Sequence, residues 1–75
     1  MNDKRRKELR HAIGTLEVAE IEISSVMDRE EDAMDNVPES LQDTDMYERM
    51  EEAVEKLDEA CDIIHDAIYK IREVI

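Results

Sequence analysis

Aromatic residues are nearly absent: two tyrosines, no phenylalanine and no tryptophan in 75 residues. Any core must therefore be aliphatic and methionine-rich, and nucleic-acid binding that relies on bases stacked over aromatic rings is disfavoured. Glycine and proline occur once each, as Gly14 and Pro38, so few turns can form, which argues against a β-barrel or an α/β enzyme fold. The single cysteine, Cys61, has no partner for an intrachain disulfide and fits a reducing compartment. No apolar run reaches the length of a signal-peptide core or a membrane span, so a cytoplasmic location and no membrane partner are expected. Basic residues are also scarce, ten against 22 acids, for a net charge of −12. At this size one core barely offsets chain entropy. Charge this high could signal disorder, but the apolar residues are strongly periodic.

That periodicity defines two helices. From Leu9 the apolar positions run through Ala12, Ile13, Leu16, Ala19, Ile23, Val26, Met27, Ala33 and Met34, with Glu20 and Glu30 as interruptions. A second series runs from Met46 and Tyr47 through Met50, Val54, Leu57, Cys61, Ile64, Ile68 and Ile71 to Ile75. Both hold heptad positions a, d and e, the period of an amphipathic helix. Gly14 falls at the outward f position. The predicted organisation is one domain over residues 1–75: helix 1 at about 3–34, a bend at 35–44 and helix 2 at about 45–74. Within the bend, Val37 before proline is biased away from helix and Pro38 suits the start of a new turn. A short helical turn at Pro38–Leu41 is expected, with Leu41 folded inward. Asp43, Thr44 or Asp45 could then cap helix 2, and Asp45 with Glu48 has capping-box spacing.

The expected fold is all-α: an antiparallel two-helix hairpin assembling into a homo-oligomeric helical bundle. A stripe three positions wide per heptad is more than one partner helix covers, and dimerisation into a four-helix bundle is the simplest remedy. Leu9, Leu16, Ile23, Met50, Leu57, Ile64 and Ile71 are the expected interface. Val18 and Ile21, on the opposite side of helix 1, are either scattered surface aliphatics or a second contact that enlarges the assembly beyond a dimer.

Charge is segregated along the chain. Residues 1–11 carry +3, residues 12–27 carry −3, residues 28–52 carry −9 and residues 53–75 carry −3. Folding as a hairpin places the basic segment at one end and the acidic segment at the bend, and a head-to-tail dimer would then gain a modest Coulomb preference. Asp28, Glu30, Glu31 and Asp32 stand near the C-terminus of helix 1, where the helix dipole disfavours anions.

Catalytic chemistry finds little support. Glu8 with His11, and Asp62 with His65, have the spacing of di-metal bundle ligands, but their heptad positions point away from the seam. Glu51, Glu52 and Glu55 resemble half of the Mg²⁺ motif of all-α nucleoside triphosphate pyrophosphohydrolases. The second half would have to come from Glu59 and Asp62 on the same helix, and no following helix is expected within these 75 residues. Cys61 falls among Leu57, Ile64 and Ile68 and reads as a buried small hydrophobe. No enzyme, cofactor or metal is expected. One cluster does suggest a ligand. In a hairpin bent near residue 40, Arg5, Arg6, Arg10 and His11 approach His65, Tyr69 and Arg72, a combination suited to a nucleotide-like anion. Alternatively Tyr69 lies along the helix and the arginines pair with Asp66 and Glu73.

The run Asp35-Asn36-Val37-Pro38-Glu39-Ser40-Leu41-Gln42, preceded by Glu30-Glu31-Asp32, resembles a signature of small acidic helical proteins encoded by phages and prophages. Lys4-Arg5-Arg6-Lys7 and the acidic, Ala- and Ile-rich second helix share the likeness, which spans nearly the whole chain. The resemblance implies a phage accessory protein in the cytoplasm of an infected bacterial host, and many such proteins counter host defence. The leading functional expectation is therefore a homo-oligomeric sponge that sequesters an anionic nucleotide-type immune signal at its basic ends. The partners are then the chain itself, as a dimer or larger, and a small anionic nucleotide or a host defence protein; no direct DNA binding is expected. Two rivals remain: an acidic mimic of nucleic acid that inhibits a host nuclease or CRISPR effector, and a structural or regulatory helical interaction module.

Overall fold

The computed structural model describes all residues, 1–75. Helix α1 spans Asp3–Asp35, a short 3-10 turn spans Glu39–Leu41, and helix α2 spans Asp45–Arg72. The two helices pack against each other as a hairpin. The result is a rod of 59 × 15 × 12 Å with a radius of gyration of 17.3 Å, where a compact domain of this length would have about 11 Å.

Each helix begins on a polar cap. Asn2 Oδ1 accepts the Arg5 N–H at 2.9 Å, and Thr44 Oγ1 accepts the Tyr47 N–H at 3.3 Å, satisfying amides that lack an intrahelical acceptor. Of the three candidate caps for α2, Thr44 is the one used. Its capping is one-sided, because the residue three positions on is Tyr47 and not a glutamate. Asp45 and Glu48 lie in the first turn, where the helix dipole favours carboxylates. α2 stops at Arg72, two residues earlier than the apolar period suggests. The chain tightens there, with Glu73 N–H donating to Lys70 and Val74 N–H to Ile71, a geometry common in the last turn of a helix.

The bend forms the expected short turn after Pro38: Leu41 N–H donates to the Pro38 carbonyl at 2.8 Å and Gln42 N–H to that of Glu39 at 3.2 Å. Leu41, however, is 45% exposed, contrary to the inward placement expected from its hydrophobicity. In a 3-10 turn residues three apart eclipse, so Leu41 shares the outward side of Pro38. Val37 and Thr44 are the half-buried residues of the bend.

The contact between the helices is narrower than the apolar stripe. Leu9, Leu16, Ile23, Met50, Leu57, Ile64 and Ile71 at a, with Met27, Val54 and Cys61 at e, are all half-buried, and only Ile13 and Ile68, also at e, are fully buried, at 5% and 4% exposure. A pair of helices can cover no more than a seam of this width. Gly14 lies mid-helix, and a Cβ added there would meet nothing within 4 Å. Gly14→Ala should therefore stabilise the hairpin by about 0.5–1 kcal/mol. At about 4–8 °C per kcal/mol for a small domain, circular-dichroism melting should register a rise of roughly 2–8 °C.

Candidate functional site: two charged poles

The basic pole is the start of α1. Arg6 turns back onto its own helix, Nη1 standing 3.0 Å from Asp3 Oδ1. Arg5, Arg10 and His11 are exposed and have no carboxylate within ion-pair distance. The residues expected to join them from α2 are engaged across the seam. His65 Nδ1 lies 3.5 Å from Glu20 Oε1, and Arg72 Nη2 lies 3.8 Å from Glu17 Oε1. Tyr69 lies open to solvent at 67% exposure. No hollow is lined by any of these seven residues: the two surface hollows lie elsewhere, one beside Ser24, Ser25 and Asp28, the other beside Asp45, Arg49 and Glu52. In the single hairpin the seven residues therefore form no common pocket. Glu17 and Glu20 are the residues that sequence reading passed over. Their heptad positions beside the seam, opposite a histidine and an arginine, carry the signal.

The acidic pole is built differently. It comprises residues 28–52, the last turns of α1, the bend and the first turns of α2. It holds eleven carboxylates and two bases, Arg29 and Arg49. None of the ion pairs in the hairpin involves any of these residues. Both arginines turn onto their own backbones instead, Arg29 Nε donating to the Ser25 carbonyl and Arg49 Nε to the Asp45 carbonyl, each at 3.4 Å. The last turn of α1 contains no basic residue. The pole is thus a dense set of carboxylates without ion-pair partners at the bend end of the hairpin, free to meet cations or a basic surface.

Other chemistry-bearing groups do not converge. Glu8, His11, Asp62 and His65 are all exposed, and no group of three or more His, Cys, Asp or Glu side chains is arranged to hold a metal. Cys61 is half-buried on the seam. Partial desolvation, then the neighbouring charges of Glu20, Asp58 and Asp62, push its thiol above the ordinary value of 9.0. The fold thus favours the neutral thiol. That contribution to stability is present below pH 9.0 and is lost as the pH rises through the raised value. Alkylation by iodoacetamide at pH 8 should be slower than for a free thiol and should accelerate in denaturing urea; equal rates in both would contradict this placement.

No helix is long and apolar enough to cross a membrane. Compared with protein-family models, curated proteins and solved structures, the chain matches none of them.

Proposed function

We propose that this chain is a non-catalytic phage accessory protein that counters host antiviral defence, working in the cytoplasm of an infected bacterium through its acidic pole. In this reading the pole imitates a nucleic-acid backbone and occupies the basic groove of a host nuclease or CRISPR effector. The observation that carries the proposal is the set of eleven carboxylates without a single ion pair, on a rod 15 × 12 Å across. A net charge of −9 over a tip of about 20 Å, the 59 Å rod less about 40 Å for residues 1–27 at ~1.5 Å per residue, is about one charge per 2 Å. Duplex DNA carries one per about 1.7 Å. A basic groove that binds by releasing counterions would release them for either partner.

The active form in this reading is a homo-oligomer, because the hairpin buries only Ile13 and Ile68 fully. Assembly also multiplies the acidic poles.

A second reading, the nucleotide sponge, is favoured by the unpartnered Arg5, Arg10 and His11 at the N-terminus of α1, where clustered bases and helix amides suit phosphate. It requires several chains to bring their basic ends together, since His65 and Arg72 already face glutamates. One experiment separates the two. Thermal shift against a panel of cyclic and linear nucleotides should show no stabilisation under the mimic reading, and a shift of several degrees under the sponge reading. Arg6→Glu with Arg10→Glu should abolish any nucleotide-induced shift, yet leave inhibition of a nuclease intact.

A further inference from the structure

The hairpin has two open flanks beside its seam, and they differ in kind. Taking Leu9 and Met50 as a, the Glu17–Arg72 ion pair and the Glu20–His65 contact join residues at b and e and mark one flank as polar. In an antiparallel pair whose contact lies on a and e, the d columns of both helices come together on the other flank. There Val26 and Met46 are about half exposed, at 43% and 50%, with Ala19, Ala53 and Ala60 in the same columns. No charged residue occupies d on either helix after Arg10.

The adjoining g column distinguishes this flank further. Of the five bases after Arg10, four stand at g, Arg29, Arg49, Lys56 and Lys70, whereas the acids at g, Glu8 and Glu22, are both on α1. The remaining g position of α2 is Ile63, 68% exposed. α2 carries nine acids between Asp45 and Asp66, and every one lies at b, c or f. On a molecule of net charge −12, this flank is the one strip of α2 outside the seam from which carboxylates are excluded. It is therefore where a second molecule of equal charge meets least repulsion. Charged positions beside an apolar seam commonly set which helices associate.

The surface area points to the same occupant. A compact monomer of 8.8 kDa exposes roughly 4,800 Å², whereas this chain exposes 5867 Å². The excess of about 1,100 Å² compares with about 800 Å² buried by each partner in an interface of ordinary size.

We infer that the d-column flank, with the basic g border that α2 gives it, is the docking surface for a second copy of this chain. The polar flank bearing Glu17–Arg72 and Glu20–His65 is left on the outside of the pair. The inference rests on the homo-oligomeric reading above and adds the face to it.

Light scattering coupled to size exclusion tests it with two equally exposed isoleucines, Ile63 at 68% on the proposed face and Ile21 at 70% on the far side of α1. The wild-type chain should have twice the monomer mass of 8.8 kDa, or a larger multiple. Ile63→Glu should raise the dissociation constant of the pair at least tenfold, and Ile21→Glu should leave the pair intact. Because Ile63 is so exposed in the hairpin, its replacement threatens association without threatening the helix, and circular dichroism should confirm unchanged helicity. A monomeric wild-type chain would overturn both the face and the oligomer. A pair broken by Ile21→Glu and untouched by Ile63→Glu would overturn the face alone.

Discussion

Replacing Glu31, Asp35, Glu48 and Glu52 together by lysine is expected to abolish competition with nucleic acid while leaving the hairpin folded. All four side chains are exposed and none forms an ion pair, so no packing or bridge is lost. The substitutions change the pole from −9 to −1. On helix stability they oppose one another: lysine near the C-terminus of α1 complements the dipole, and lysine at Glu48 in the first turn of α2 offends it. Each charge matched to a basic groove contributes roughly 0.9 to the slope of log affinity against log salt. Removing four contacts and adding four repulsions should weaken binding by at least about 100-fold at low salt. The effect should be smaller at 0.5 M salt, where the Debye length is only about 4 Å. Undiminished competition by the quadruple variant would remove the acidic pole from the account.

Ile68→Asp should have the second large effect, loss of the cooperative fold at 25 °C. Ile68 is one of two fully buried side chains, with Ile13. Deleting a buried isoleucine side chain costs about 2–5 kcal/mol, and a buried unpaired carboxylate adds a desolvation penalty. The stability of a domain of this size is about 4–11 kcal/mol. Tyr69→Asp, one residue further on, replaces a side chain 67% exposed and should shift the melting temperature by only a few degrees, since exposed substitutions stay within about ±0.5 kcal/mol. Circular-dichroism melting of the two variants side by side checks the contrast. Similar melting of both would mean that the seam does not hold the hairpin together.

The helices and their pairing were legible because apolar periodicity reflects local geometry. The run from Leu9 to Met34 and the run from Met46 to Ile75 can bury one face only as helices, and the ten-residue bend between them enforces an antiparallel hairpin. What was not legible depends on how one helix slides against the other. A bend at residue 40 would bring the basic cluster level with His65, Tyr69 and Arg72, but the pairing of His65 with Glu20 and Arg72 with Glu17 follows the packing around Ile13 and Ile68, which no periodicity encodes. Leu41 was misplaced for a related reason: hydrophobicity says inward, yet the 3-10 geometry after Pro38 turns it out. The charge of the acidic pole could be read directly from the chain. That its two arginines bind the Ser25 and Asp45 carbonyls, leaving the carboxylates unpaired, could not, because several rotamers of equal reach compete.

The most direct measurement is displacement of a fluorescent DNA or RNA duplex from a panel of purified defence nucleases and CRISPR effectors, followed by anisotropy at 50 and 200 mM salt. At least one effector should release its duplex as the hairpin is added. That competition should be absent with the quadruple lysine variant. Failure to displace the duplex from any effector, together with stabilisation of the hairpin by a nucleotide, would contradict the acidic-pole account and leave the basic end as the working surface.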